Sequence, residues 1–216
     1  MADVDFFWDP VCPWAWITSR WIEEVASQTE LHVDWRFISL RIVNEDRDYG
    51  SKFPRGYPEA HGAGLSLLRV AARVRAEHGR EHLGPLYTAL GTRLHVEREG
   101  LDIRTPEGVA GLLGEVGPML ERLGLDPAIA SAAEDDSWDD DVRADTTTAL
   151  ERAGKEVGTP VITFEPPDGP SFFGPVISRI PRGDKAVELW DAVTKIAGWP
   201  GFAELKRAIR ERPATS

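Results

Sequence analysis

Residues 9–16 read Asp9-Pro10-Val11-Cys12-Pro13-Trp14-Ala15-Trp16 and contain the only cysteine of the 216 residues. An apolar run from Val4 to Trp8 precedes them, and a segment with apolar periodicity runs from Trp14 to Ala26. This order predicts a strand, a tight turn and a helix that begins at Cys12. Pro13 suits the first helical turn, because the N–H group that proline lacks would have no partner there.

A thiol at the start of a helix meets unpaired backbone N–H groups and the positive end of the helix dipole. Both favour the thiolate, which is the nucleophilic form, so we expect the pKa of Cys12 to lie below that of a free thiol. The alternative is that a lone cysteine is simply a small buried hydrophobic residue, as most free cysteines are. The strand–Cys-Pro–helix order favours the nucleophile.

The composition excludes several classes of partner. With 25 basic and 36 acidic residues the net charge is −11, which argues against nucleic acid because phosphate binding needs clustered Lys and Arg. No apolar run approaches the length that spans a membrane, so we expect no membrane partner. No signal peptide is visible, and one cysteine excludes an intrachain disulfide. Together these features predict a cytoplasmic protein.

The first half of the chain predicts a second strand followed by a loop and a helical block. Residues from Leu31 to Leu40 alternate in part, which indicates a strand parallel to the first. From Arg41 to Gly64 many Gly, Pro and acidic residues predict a long irregular loop, either functional or an idle connection. Helical apolar spacing then continues to about residue 135.

The second half predicts helices around a hairpin. A helix from Ser137 to Ala153 carries three aspartates in its first turn, where they suit the helix dipole better than a metal site. Pro160 opens an apolar run that predicts a strand, and Ser171-Phe172-Phe173-Gly174 predicts its hairpin partner. A long helix follows Pro181 to Gly183, and a short terminal helix is expected from Phe202 to Arg210.

Four histidines raise the question of a metal or general-base site: His61, His78, His82 and His95. They have no cysteine nearby and form no HExxH motif. We interpret them as surface or capping residues and expect no metal site.

Several stretches of the chain resemble the DsbA-like thioredoxin-fold family and, within it, the mycothiol-dependent nitroreductase branch of actinobacteria. They span both ends and the middle of the sequence: DFFWDPVCPWAWITSRWIEEV (5–25), SLRIVNEDRD (39–48), PLYTALGTRLH (85–95), GTPVITF (158–164), FFGPVISRIPRG (172–183) and LWDA (189–192). The resemblance implies an α/β, thioredoxin-like mixed sheet with an inserted helical domain. Residues 1–50 and 136–216 are expected to form the thioredoxin-like domain and residues 51–135 the insertion.

The resemblance also implies the site. Cys12 corresponds to the redox nucleophile, Pro13 and Trp14 line the thiol site, and Pro160 is the cis proline facing the cysteine. Thr159, before that proline, offers backbone groups to a bound thiol or peptide. Asn44, in the loop after the second strand, lines the substrate pocket.

Ala15 departs from the family pattern. Redox members of the family carry Cys-Pro-Trp-Cys, whose second cysteine resolves the mixed disulfide formed on the first. Ala15 occupies that last position on the thiol-binding face, so this chain has no resolving cysteine of its own.

Three functions follow as alternatives. The first is a monothiol oxidoreductase that uses mycothiol, or another small thiol, to reduce a disulfide or a small electrophile such as a nitro compound. The second is a thiol transferase or isomerase similar to kappa-class glutathione transferases and 2-hydroxychromene-2-carboxylate isomerases. The third is a redox-inactive binding module. The expected cosubstrate is a small thiol with no tightly bound cofactor, and the expected state is a monomer or a homodimer.

Overall fold

The computed structural model describes residues 2–208 and 211–215, and its described part divides into two compact units. The first unit holds residues 2–8, 12–36 and 149–208 with 211–215. The second holds residues 9–11 and 37–148. It contains all of residues 51–135, whose assignment as a separate inserted domain stays a prediction.

A mixed four-stranded sheet forms the centre of the first unit, in the order β2-β1-β3-β4. The strands are β1 (Val4–Trp8), β2 (Val33–Phe37), β3 (Val161–Phe164) and β4 (Ser171–Phe173). β1 and β3 pair antiparallel with Val4 opposite Phe164, and β3 and β4 pair antiparallel with Thr163 opposite Ser171. Both inner strands are buried throughout, which explains their continuous apolar sequences.

One charged residue of β1 is an exception to that apolar run. Asp5 is buried, and its Oδ2 accepts hydrogen bonds from Arg36 at 3.1 Å and from Arg152 at 2.9 Å. A carboxylate inside a protein needs such partners, because losing water without replacement is costly. Asp5 therefore takes part in two structural ion pairs, one with Arg36 of β2 and one with Arg152.

Two long helices accompany the sheet in the first unit, α1 (Pro13–Ala26) and α8 (Asp184–Ala197). The rings of Trp21 and Trp190 meet edge to face at 5.5 Å, and Trp190 also lies 5.8 Å from the ring of Phe164. Trp21 satisfies its indole N–H by donating to the Ala186 carbonyl at 2.9 Å. These aromatic contacts join α1, α8 and β3 around one apolar core.

The second unit is helical. Its α-helices are α2 (Leu40–Val43), α3 (Tyr49–Lys52), α4 (Tyr57–His78), α5 (Leu83–Gly91), α6 (Pro106–Arg122) and α7 (Asp139–Ala153), the last running into the first unit. A π-helical turn, Thr92–Val96, continues α5, and 3₁₀ segments cover Arg80–His82, Pro127–Glu134 and Asp136–Trp138. α4 supplies much of this core through fully buried residues: Leu67, Leu68, Val70, Ala71 and Val74.

The prediction of a long irregular loop from Arg41 to Gly64 is wrong. Two short helices, α2 and α3, and the first two turns of α4 occupy it. Two of the polar residues that suggested a loop end or begin helices: Asn44 is the C-cap residue of α2, and Asp48, the N-cap residue of α3, accepts from Gly50 N–H through Oδ1. Gly56 takes φ +85°, which only glycine adopts freely, and α4 starts at the next residue.

The predicted terminal helix is also wrong for residues 202–208, which form no regular element. Residues 209 and 210, at its expected end, lie outside the described residues. Within the described part of the chain, no helix has the length and apolar character needed to cross a membrane.

Candidate active site

Cys12 is the N-cap residue of α1, with extended backbone angles (φ −82°, ψ 113°), and Pro13 takes the first helical position. The Cys12 carbonyl accepts the first helical hydrogen bond, from Trp16 N–H at 3.1 Å. The side chain is 5% exposed. The predicted strand, turn and helix around the single cysteine are therefore confirmed.

The loop before β3 provides a polar partner of the thiol. Cys12 Sγ–H donates to the Thr159 carbonyl oxygen at 3.4 Å, and the peptide bond between Thr159 and Pro160 is cis. Thr159 anchors itself to β1, because its hydroxyl donates to the Phe7 carbonyl at 3.4 Å. The structure therefore brings Cys12 and the cis-proline loop together, as the family resemblance implies.

Burial, the Thr159 carbonyl and the helix N-terminus all act on the thiol, and burial of a side chain that is 5% exposed favours the uncharged form. The Thr159 carbonyl can accept from S–H but cannot donate to a thiolate, so this contact favours the protonated form. The helix N-terminus favours the thiolate. The S–H group is a weak donor, whereas a helix terminus stabilises a charge by up to about 2 kcal/mol in partly buried sites. A reactive thiolate at Cys12 therefore requires the helix terminus to outweigh both burial and the Thr159 contact, and the lowered pKa of Cys12 stays a prediction.

Trp14 and Ala15 follow on α1 with different exposure. Trp14 is partly exposed, and its role in lining a thiol site stays a prediction. Ala15, three residues beyond Cys12 and on the same helix face, is completely buried. The position that holds the resolving cysteine in family members is therefore inside the protein.

Asn44 belongs to the second unit, where it ends α2 as the C-cap residue. Its Nδ2 donates to the Leu40 carbonyl at 2.8 Å, and the residue is buried. This hydrogen bond holds the Asn44 side chain in one orientation.

Asp9 is a buried acid that sequence reasoning did not single out. It has no exposed surface, and its Oδ1 and Oδ2 accept from Val11 N–H at 3.0 Å and Leu40 N–H at 2.7 Å. Burial raises the pKa of Asp9 to about 7, against the lowering effect of these two hydrogen bonds. The sequence feature that could have identified Asp9 is an Asp-Pro turn directly between a buried strand and the cysteine.

The interpretation of His61 and His95 as surface or capping residues is wrong. They are 6% and 8% exposed, and burial lowers the pKa of each to about 4, so both are neutral at pH 7. His95 Nε2 donates to the Pro10 carbonyl at 2.8 Å, and His61 Nδ1 lies 3.1 Å from the Tyr49 hydroxyl. Their helices are packed inside the second unit, which the local sequence did not show.

No group of three or more His, Cys, Asp or Glu side chains in the described residues is arranged to hold a metal ion. Two of the three aspartates that begin α7 form ion pairs. Asp139 pairs with Arg69 through two hydrogen bonds of 2.6 and 2.9 Å, and Asp141 pairs with Arg75 at 3.3 Å. These ion pairs join α7 to α4.

The raised pKa of Asp9 predicts a pH-dependent contribution to stability. Its pKa is about 7 in the folded protein and 3.8 without burial, so the folded state binds the proton more tightly. Stability from Asp9 is then fully present below about pH 4 and is lost as the pH rises toward 7. Asp9→Asn should remove this pH-dependent decrease in the free energy of unfolding, which amounts to on the order of a few kcal/mol.

The pH dependence of the free energy of unfolding is measured by urea unfolding of the wild type and Asp9→Asn at pH 4.5, 6 and 7.5. His61 and His95 have lowered pKa values and act in the opposite sense, so the difference between the two proteins isolates Asp9. Asp126→Asn is the matched control, because Asp126 is exposed and precedes Pro127 in the same kind of turn, accepting from Ala128 N–H. Equal pH dependence in wild type and Asp9→Asn contradicts the prediction.

Comparisons with known proteins identify the family and the fold. A family model described as Rv2466c-like, mycothiol-dependent nitroreductase Rv2466c, matches residues 11–207. The protein Rv2286c of Mycobacterium tuberculosis (strain ATCC 25618 / H37Rv), described as uncharacterized, is 36% identical over 208 residues. That match covers 96% of this chain and 82% of the relative.

Solved structures share the fold at low identity. A 2-hydroxychromene-2-carboxylate isomerase has a TM-score of 0.54 and 16% identity, covering 89% of this chain and 94% of its own. The cytosolic disulfide reductase DsbM from Pseudomonas aeruginosa has a TM-score of 0.53 and 18% identity, covering 90% and 99%. The fold is thus thioredoxin-like and DsbA-like with a helical insertion. With the single thiol at a helix start beside a cis-proline loop, and a family match over nearly the whole length, the chain belongs to the Rv2466c-like family of mycothiol-dependent nitroreductases.

Proposed function

We propose that this protein is a thiol-dependent reductase in which Cys12 is the sole redox nucleophile and mycothiol is the reductant. The contact between Cys12 Sγ and the Thr159 carbonyl supports this best, because it places a helix-start thiol against the cis-proline loop. Family membership supports the choice of mycothiol. The absence of any second cysteine in the sequence makes the mechanism monothiol.

With a disulfide substrate, the Cys12 thiolate attacks one sulfur and forms a mixed disulfide, while the other sulfur leaves as a thiolate. A mycothiol thiolate then attacks the mixed disulfide and releases Cys12. With a nitro compound, Cys12 and one mycothiol supply two electrons and two protons. The products are a nitroso compound, water and the Cys12–mycothiol disulfide, which a second mycothiol reduces to give oxidised mycothiol.

The neighbouring residues have binding roles in this proposal. Pro13 and Trp14 line the thiol site, and buried Ala15 closes it on the helix side. Backbone groups of Thr159, before Pro160, receive the bound thiol. Asn44 contributes to the substrate pocket. The protein works in the cytoplasm, where mycothiol stays reduced, as a monomer or a homodimer.

A second function, thiol transfer or isomerisation, is supported by Ala15. Such an enzyme activates the thiol of its cosubstrate and forms no protein disulfide, so it needs no resolving cysteine. The fold is shared with a 2-hydroxychromene-2-carboxylate isomerase. In this alternative Cys12 would orient the cosubstrate thiol without being oxidised.

Intact-mass measurement tests the proposed reductase. The protein is incubated separately with oxidised mycothiol, oxidised glutathione and oxidised bacillithiol, and the mass is read before and after adding the reduced thiol. We expect one mycothiol adduct on Cys12, removed by reduced mycothiol. Protein first alkylated with iodoacetamide is the control and should gain nothing. A protein that forms no adduct with any of the three contradicts the proposal and favours a redox-inactive module.

A further inference from the structure

Residues 9–11, which directly precede Cys12 in the chain, each make a polar contact with residues of their own unit, the second. Two of their contacts come from the Asp9 carboxylate, which accepts from the backbone N–H groups of Val11 and Leu40. The third is the Pro10 carbonyl, which accepts from His95 Nε2 at 2.8 Å. Every residue of the segment 9–11 therefore has a fixed polar contact within the second unit.

Gly64 on α4 shows how closely this segment is packed. A Cβ added to Gly64 would come 2.7 Å from Asp9 Oδ1 and 3.2 Å from a methyl group of Val11. The backbone of Gly64 is ordinary helix, so the glycine is required by the approach of Asp9 and Val11 and not by its conformation. No room remains for the carboxylate to move toward α4.

Hydrogen bonds hold the Asp9 carboxylate in place. Burial and the two N–H groups set its pKa, with no positive side chain contributing. The pKa of Tyr49 on α3 is raised, mainly by burial. The negative charge of Asp9 adds to this increase. His95, bonded to Pro10, and His61, bonded to Tyr49, are neutral at pH 7.

We propose that Asp9 is a positioning residue for Cys12: by fixing the turn of residues 9–11, its carboxylate holds Cys12 at the N-cap of α1. The inference rests on the proposed role of Cys12 as the reactive thiol.

Asp9 acts on Cys12 through the covalent backbone. Val11 and Cys12 share a peptide bond, so a carboxylate that fixes the Val11 N–H also restricts the backbone of Cys12. The N-cap position in turn determines whether the thiol benefits from the helix terminus. Loss of the turn frees Cys12 from that position and should return its reactivity toward that of an ordinary thiol.

The experiment measures the rate of Cys12 alkylation by iodoacetamide from pH 5 to pH 10 on the full chain. The variants are Asp9→Ala, Asp9→Asn, which keeps one acceptor oxygen, and Gly64→Ala, which displaces Asp9 without altering it. Asp126→Ala is the matched control, because it removes the same Asp-Pro turn bond at a site 117 residues beyond Asp9 in the chain. Thermal unfolding is recorded for each protein.

We expect Asp9→Ala to raise the midpoint pH of alkylation by about one unit, toward the value of about 8.5 for a free thiol. Asp9→Asn and Gly64→Ala should raise it less, and Asp126→Ala should leave it unchanged. If Asp9→Ala does not fold, the other two variants carry the test. A lower unfolding temperature with an unchanged midpoint makes Asp9 merely structural and overturns the inference. A downward shift in both Asp9 variants, showing a direct charge effect, overturns it as well.

The wild-type profile separates this inference from the proposed function. A wild-type midpoint at or above about 8.5 means that Cys12 is not activated, and the proposed function then fails together with the inference. A lower wild-type midpoint that the Asp9 and Gly64 variants share leaves the proposed function intact and removes only the positioning role.

Discussion

Cys12→Ser should abolish the reduction of disulfides and nitro compounds, leaving only the rate of the uncatalysed reaction with mycothiol. Serine has almost the size of cysteine, but its hydroxyl can neither form a disulfide nor supply electrons. Because the sequence contains no other cysteine, no neighbouring thiol can replace it. Consumption of reduced mycothiol with each substrate, measured beside thermal unfolding of the variant, gives the result.

The same variant separates the two proposed functions. In a thiol transferase or isomerase the residue at position 12 only orients the cosubstrate thiol, and a hydroxyl can do this by hydrogen bonding. Cys12→Ser should then keep thiol-dependent isomerase activity, whereas Cys12→Ala should lose it. Retention of reductase activity by both variants would show that Cys12 is not the nucleophile.

Ala15→Cys should convert the monothiol protein into a dithiol one. Residues three apart on a helix lie on one face, so a thiol at 15 should reach a mixed disulfide on Cys12. We expect the mycothiol adduct of the parent to persist until external thiol arrives, and that of the variant to be released. An intramolecular disulfide then forms, and the mass falls by about two hydrogens relative to the reduced protein.

Ala15→Ser is the matched control, because it adds one atom of similar size without a thiol. Ala15 is completely buried, so both substitutions should lower stability by about 1–3 kcal/mol through overpacking. Adduct lifetime, followed by intact mass after excess mycothiol is removed, should fall in Ala15→Cys alone. An equally long lifetime in the parent, Ala15→Cys and Ala15→Ser would show that positions 12 and 15 do not face each other.

The local elements around the thiol were predictable because neighbouring residues in the chain determine them. The apolar run from Val4 to Trp8 and the Cys-Pro pair at a helix start are confirmed at β1 and α1. The cap of α6 is local in the same way, since the Thr105 hydroxyl accepts from Gly108 N–H, three residues further along the chain, at 3.1 Å. The helices between Arg41 and Gly64 were not predictable, because the same polar residues occur both in loops and at helix ends.

The amino-acid sequence by itself determined that this protein has one thiol, no intrachain disulfide and a cysteine at a helix start, since composition and local periodicity need no distant contact. Only the tertiary structure decided what surrounds that thiol. Thr159, whose carbonyl accepts from Cys12, lies 147 residues away in the chain. The pKa of Asp9 near 7 likewise depends on exclusion of water by α4 and the backbone of Leu40, which no local pattern contains.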